Sequence, residues 1–468
     1  MPPTIATVLC VAGIMGLFWL DRDRKARTSL ALWLPVIWFT LACSRSVGQW
    51  LSMNWNVSPD QVLEGSPIDR AVYLVLLVIV VGVLITRGSR VGLFLEANKL
   101  ILLFLLYCAV SLAWSDFPLV GFKRWIKAAG DFAVISIIFT DRDPLAALKR
   151  VLARTGFVLI PISLLLIKYY PALGTAYGPW GGPQMYTGVT VNKNTLGAVC
   201  LCLGLGALWR FLGDYRDHAL SNRTRHLVAN GVIVAMVLWL LAITNSMTST
   251  SCFLMASFLL VASEFRGLYR KPSLVHIFIA GMVAVSVGVL FLGVDPNALK
   301  TMGRNPTLTD RTEVWGWLFS LVQNPLIGTG FESFWLGPRL QKLWSIYWWR
   351  PNEAHNGYIE IYLNLGWIGI FLLGVVLAAS YRRVFAAYRR HLPTGNLRIA
   401  YFLVGLVYNF TEAAFFKIMA PVWLFLLIAL VTVPKAKAKK LPSSIPDPGR
   451  FQRPEKEPAM VALKEETV

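Results

Sequence analysis

Charge is what this sequence has least of. Charged residues make up 15% of its 468 positions and hydrophobic residues 56%, with a mean hydropathy of +0.57. No soluble domain of this size needs so much apolar surface, which excludes a soluble globular protein. Cysteine is sparse too. Its six copies (Cys10, Cys43, Cys108, Cys200, Cys202, Cys252) all fall in apolar runs, and none stands at ligand spacing from a histidine. Neither disulfides nor a metal site is expected. The first apolar run lacks a basic flank, and Asp21-Arg22-Asp23-Arg24-Lys25 follows it instead of a small-residue cleavage site. It therefore reads as a span and not as a signal peptide. Internal repeats are lacking as well.

The charge that is present is lopsided, with 45 Lys and Arg against 25 Asp and Glu, a formal net charge of +20. The basic residues come in small clusters between apolar runs. That pattern speaks against a nucleic-acid partner and for the positive-inside rule, with attraction to anionic membrane lipid.

Apolar runs near 3–20, 30–47, 71–86, 98–114, 126–139, 151–167, 195–211, 228–243, 250–264, 274–293, 358–378, 399–411 and 420–433 predict an all-α polytopic membrane protein. Several runs are short, so the expected number of transmembrane helices is 11–13. Basic loops (Arg22 to Arg27, Arg87 and Arg90, Arg142 to Arg150, Arg216 to Arg225, Arg266 to Lys271, Arg382 to Arg398) alternate strictly with the spans and mark the cytoplasmic side. The remaining loops, 48–69, 115–125, 168–194, 244–249, 294–357 and 412–419, then face outward. Residues 1–434 form the expected membrane domain, and the Lys-, Pro- and Glu-rich stretch 435–468 reads as a disordered cytoplasmic tail.

The outward loop 294–357 is by far the longest. Six tryptophans (Trp315, Trp317, Trp335, Trp344, Trp348, Trp349) make it too apolar for a linker, so a folded cap at headgroup depth is expected, with sugar contacts from one or two rings such as Trp344 or Tyr347. Thr309-Asp310-Arg311-Thr312-Glu313 reads as the capped start of an amphipathic helix, and Asn324-Pro325-Leu326-Ile327-Gly328-Thr329-Gly330 as a turn.

This topology sorts the residues able to do chemistry. His218, His226 and His391 fall in cytoplasmic loops and His276 at the cytoplasmic start of a span. Only His355 faces outward, where a polar loop re-enters an apolar run. An imidazole there is a candidate for proton transfer; the alternative is a helix cap or a place in the interfacial belt. Lys123, Arg124, Lys193 and Arg311 are basic residues on the outer side, against the charge bias. Each suits either snorkelling or convergence on a polyanion, and the N–H groups at the start of the 195–211 helix would add to an anion site. Glu412 ends a span on the outer side and has Lys417 as a possible partner. Asn356 and Glu360 are near enough in sequence to orient the imidazole.

Arg311 with Trp315, Gly328-Thr329-Gly330-Phe331, and His355-Asn356-Gly357 with Gly366 and Gly369 together resemble the signature of the O-antigen ligase/polymerase superfamily. Asn192-Lys193-Asn194-Thr195-Leu196-Gly197 and Asn409 to Glu412 resemble its ExoQ-like exopolysaccharide-polymerase branch. The resemblance implies a GT-C-like glycosyltransferase architecture in a bacterial inner membrane, with the active site facing the periplasm. It implies a donor glycan on undecaprenyl diphosphate, passed to a sugar hydroxyl with inversion and without a metal or other cofactor. Under it, His355 is the base, Arg311 stabilises the leaving diphosphate, and Arg124, Asn192, Lys193, Asn194, Asn356, Glu360 and Glu412 are substrate-binding candidates. A chain-length regulator or export machinery is an implied partner. One departure stands out: Met247, in Asn245-Ser246-Met247-Thr248, occupies the place where ligase-type members carry arginine, which favours the polymerase branch.

A lipid-linked-sugar flippase or an exporter is the alternative class. It calls for charged groups near mid-membrane and repeated halves with broken helices. The spans are mostly clean; Asp131 is the exception, either lining a cavity or paired with Lys127.

Overall fold

The computed structural model describes residues 1–23, 26–52, 66–177, 182–220, 222–265, 271–291, 308–417 and 420–434. In chain order α1 (Pro3–Leu20), α2 (Trp33–Ala42), α3 (Val47–Ser52), α4 (Pro67–Thr86), α5 (Gly88–Ala97), α6 (Lys99–Val110), α7 (Pro118–Phe139) and α8 (Pro144–Tyr169) come first. A single turn, α9 (Pro171–Gly174), leads into a small antiparallel hairpin of β1 (Thr175–Tyr177) and β2 (Gln184–Tyr186), with Thr175 opposite Tyr186. Then follow α10 (Lys193–Arg216), α11 (Arg223–Thr244), α12 (Met247–Ala262), α13 (Pro272–Phe291), α14 (Leu308–Ser320), α15 (Gly337–Ile346), α16 (Gly357–Arg389), α17 (Gly395–Tyr408) and α18 (Pro421–Leu430). Proline opens α4, α7, α8 and α18, where its missing N–H costs no helical bond. The expected tail 435–468 lies outside the described residues.

Every expected span corresponds to a helix, but fewer of them can cross a bilayer unaided. Among the described residues six are long and apolar enough, or seven if the pair 88–97 and 99–114, bent by 82°, counts as one. The rest fall short for two reasons. Five apolar helices have only 10–17 residues, and α7 carries Lys123, Arg124, Lys127 and Asp131 along its length. The protein is thus an all-α polytopic membrane protein with short helices packed among long ones.

The short helix α18 shows why length and burial go together here. Its ten residues rise about 15 Å, half of a ~30 Å hydrocarbon core. All ten are buried, as suits a helix apolar on every side. Its last carbonyls need partners away from water, and buried Arg398 of α17 supplies them, reaching the oxygens of Ala429 (2.8 Å) and Val431. The bundle closes around α10, which packs on α8, α11, α12, α17 and α18. Small residues permit this: a Cβ on Gly204 would stand 2.6 Å from Val237 Cγ1, and one on Gly197 2.7 Å from Ser246 Cβ. Toward the C-terminal end of α10, Arg210 and His226 both hold Asp21, tying α10 and α11 to the end of α1.

Two expectations about α7 are corrected. The helix starts at Pro118, so Lys123 and Arg124 lie on it and not in a loop before it. Asp131 does not take Lys127 as its hydrogen-bond partner. It is buried and accepts the indole N–H of Trp38 at 2.8 Å, while Lys127 Nζ stands 4.9 Å from the centre of the Tyr73 ring.

The helix α16 is broken at Gly366 (φ +64°, ψ −164°). A break at this depth frees carbonyls and amides that lipid cannot satisfy. The turn 324–334 satisfies them. Thr329 N and Oγ1 donate to Leu363 O (3.1 and 3.0 Å), and Gly330 N to Asn364 O (2.8 Å). Trp367 N and Ile368 N donate in return to Pro325 O and Leu326 O (2.9 and 3.1 Å). Tyr107 Oη covers Leu365 O at 2.9 Å. Gly328 (φ +68°) must be glycine, because a Cβ would meet Asn364 backbone at 2.6 Å; on Gly366 it would meet Leu326 O at 2.3 Å. The glycines of both motifs therefore serve one docked junction.

Candidate active site

The stretch His355-Asn356-Gly357 is built as a tight entry into α16. His355 adopts a left-handed backbone (φ +49°), uncommon for a residue with a side chain and worth about 1–3 kcal/mol of strain. Asn356, nearly fully buried, caps the helix: its Oδ1 accepts from Tyr358 N and Ile359 N, both at 3.0 Å, and its Nδ2 donates to Phe410 O at 3.1 Å. Gly357 N donates to Asn409 O (2.8 Å) and Glu412 O (3.2 Å), and a Cβ there would sit 2.0 Å from Asn409 Oδ1. Asn409 in turn accepts at Oδ1 from Ala414 N and Phe415 N (2.8 and 3.0 Å). The two motifs, far apart in sequence, lock each other. Thr248 joins them, its Oγ1 3.1 Å from Thr411 Oγ1, which brings the Met247 segment alongside.

This lock delivers carboxylates to the imidazole. His355 Nδ1 lies 3.0 Å from Glu353 Oε1 and 3.2 Å from Glu412 Oε2. Lys417 pairs with the other oxygen of Glu353. The expected Glu412–Lys417 pair does not form; Glu412 goes to His355 and Lys417 to Glu353. Burial disfavours the imidazolium, but the two carboxylates outweigh it and raise the pKa of His355 from 6.5 to about 9. Burial likewise works against the Glu353 carboxylate, but Lys417 and His355 hold its pKa far below the usual range. Lys417 stays charged for the reciprocal reason, burial being overcome by Glu353 and Glu360. The ligating atoms of Glu353, His355 and Glu412 lie within 4.8 Å of one another, a spacing a cation also uses. The imidazolium form of His355 and the Lys417 ammonium supply positive charge there, so the cluster reads as a hydrogen-bonded charge network.

A cavity of about 490 Å³ opens beside this network, and Asn192, Lys193, Asn194, Glu353, His355 and Glu412 line it. Asn192 caps α10, accepting from Thr195 N (2.8 Å) and Thr195 Oγ1 (3.0 Å). The cavity thus gathers the N-terminal end of α10 and residues of the loops 168–194, 294–357 and 412–419, the set that the charge pattern assigned to one side. Arg124 and Glu360 lie elsewhere. They line a second cavity of about 420 Å³, which shares Asn352, Ala413 and Lys417 with the first. Arg124 Nη1 donates to Glu332 O at 2.7 Å and faces its carboxylate at 3.5 Å. Glu360 does not orient the imidazole; it accepts from Trp335 Nε1 (3.0 and 2.9 Å) and Ala354 N (2.6 Å). Asn356 does not orient it either, being spent on the cap. Arg311 lies on α14, and its side chain is outside those described.

Glu353 is the residue that sequence reasoning missed. Its signal was there: a carboxylate two positions before His355. Lys417 had been considered only as a partner for Glu412.

A polytopic helical bundle with a half-buried charge network at the entry to α16 is the class of membrane protein described here. Residues 194–374 match the family model described as O-antigen ligase. The chain is also similar to the exopolysaccharide production protein ExoQ of Rhizobium meliloti (strain 1021), with 23% identity over 287 residues. That match takes in 59% of this chain and 63% of the length of the relative. Both matches are to the O-antigen ligase and ExoQ-like group of proteins, which the chain resembles over part of its length.

Proposed function

We propose that this protein transfers a glycan from a lipid diphosphate, undecaprenyl diphosphate in a bacterial inner membrane, to a sugar hydroxyl on the periplasmic side. The observation that carries this is the His355 network at the edge of a cavity that also offers Lys193 and the N-terminal end of α10 to an anion. Glu353 and Glu412 fix the imidazole through Nδ1, and Nε2 makes no hydrogen bond among the described residues. In the form that has lost its Nε2 proton, His355 accepts the proton of the acceptor hydroxyl. The hydroxyl oxygen bonds to the anomeric carbon, the bond from that carbon to the diphosphate breaks on the opposite face, and the lipid diphosphate leaves as the anion. The two carboxylates stabilise the imidazolium formed, and Lys193 meets the charge that builds on the leaving group. Arg311 is assigned to the same diphosphate on the family resemblance. No step needs a metal. Met247, where ligase-type members carry arginine, favours polymerisation over ligation.

The test is complementation of a strain lacking the protein with wild type or His355→Ala, with lipid-linked and surface glycans separated by size. Loss of the base lowers transfer by about two to four orders of magnitude, and single repeats accumulate on the carrier. Full-length polymer from His355→Ala at normal protein level refutes the assignment. Full-length chains stranded on the carrier in the null strain would make the protein a ligase.

A further inference from the structure

The chemistry above leaves the second cavity unused, and its lining differs from the first. The His355 cavity has Tyr408 as its one Phe, Tyr or Trp. The second is walled by Trp335, Trp344, Phe331 and Phe415, with Asn352 and Arg350 among its polar groups. Both indole N–H groups are already spent inside the protein, Trp335 on Glu360 (2.9 Å) and Trp344 on the Pro351 carbonyl (2.9 Å). What the two tryptophans offer a ligand is ring area held at a fixed orientation. The Arg350 guanidinium lies 5.6 Å from the centre of the Trp344 ring. The other cations here are matched, Arg124 by Glu332 and Lys417 by Glu353. The cavity therefore suits an uncharged ligand with apolar C–H faces and hydroxyl edges more than it suits a polyanion.

We infer that this cavity is a sugar-ring subsite, with Trp344 as the stacking surface and Asn352 as a hydroxyl contact. The inference rests on the glycosyl-transfer reading, which it deepens. Its volume, about 420 Å³, lies in the range of small-ligand sites. Because Asn352, Ala413 and Lys417 belong to both cavities, a ring seated on Trp344 lies next to the chamber that holds His355. Two sources supply such a ring: the acceptor chain, or the sugars of the donor nearest the diphosphate.

The experiment uses the full chain in nanodiscs and two readouts. One is turnover, with donor and acceptor concentrations varied separately. The other is binding without turnover, by saturation-transfer NMR, with oligosaccharide fragments of the strain's own polysaccharide as the probe. Trp344→Ala raises one KM about three- to tenfold, the worth of one aromatic face, with the larger part of the effect in KM and not kcat. Trp344→Phe restores most of it. The saturation-transfer signal falls in parallel. A rise in acceptor KM assigns the ring to the acceptor, and a rise in donor KM assigns it to the donor. If Trp344→Ala does not fold, Asn352→Ala, a change at an exposed amide, reads the same shift. Turnover with both KM values unmoved in the folded variants overturns the subsite. So does fragment binding that is absent, or unchanged in them. Wild-type protein that binds fragments but transfers nothing would instead overturn the glycosyl-transfer reading and leave the subsite standing.

Discussion

The His355 network makes its sharpest claim about pH. With a pKa of about 9, roughly 1% of the imidazole is neutral at pH 7 and half at pH 9. If neutral Nε2 accepts the proton, kcat/KM climbs about tenfold from pH 7 to 8 and bends over near 9, where the gain is about fiftyfold, on the way to a plateau about a hundredfold above pH 7. Glu412→Gln removes one of the two charges that raise the pKa, so the limb moves to lower pH. The assay is initial-rate transfer by protein in nanodiscs between pH 6 and 10, at limiting and at saturating donor. A rate that instead falls through about pH 9 would refute the base assignment, because the charged form would then be the working one, donating Nε2–H to the diphosphate. Stability carries the same sign. A folded-state pKa above the ordinary 6.5 stabilises the fold fully below that value, and the contribution is lost as pH rises from 6.5 through about 9. At most it is worth about 3 kcal/mol. Thermal unfolding in detergent should show wild type losing this increment on going from pH 6 to 10, and His355→Gln not.

Two further substitutions test the construction of the site. Lys417→Met takes a positive charge from Glu353 and so from the neighbourhood of His355. It should move the pH–rate limb upward, opposite to Glu412→Gln, and a shift in the same direction as Glu412→Gln would show the network to be wrongly drawn. Gly366→Ala puts a side chain on a left-handed residue and a Cβ 2.3 Å from Leu326 O. It should cost at least about 2 kcal/mol and lower the melting temperature in detergent. A wild-type melting curve would mean that the helix break is not held as described.

Much of the molecule was legible because a membrane imposes one-dimensional rules. Length and hydrophobicity located the long helices of the bundle but not α5, whose start was read as a basic loop, and the alternation of basic loops grouped the three loops that meet at His355. The turn 324–330 could be read from Asn-Pro and its glycines, since these residues have few other uses. Span competence was overcounted, because a window of apolar residues marks burial as readily as crossing; α18 is apolar for the first reason.

Sequence by itself determined the class and the membrane setting, and it singled out His355 among the five histidines. These follow from composition and order, which do not depend on how helices pack. Only the tertiary structure decided which charges meet. Arg124 and Lys193 both looked like outward cations awaiting one anion, yet Arg124 turns to Glu332 in the neighbouring cavity. Glu412 bypasses Lys417 for His355, and Asn356 is consumed as a cap. The reason is geometric. A buried charge or cap takes the partner that the fold brings within about 3 Å, and that proximity comes from the interlocked glycine and asparagine backbone at 355–357 and 409–412, whose spacing in the chain says nothing about the distance between them.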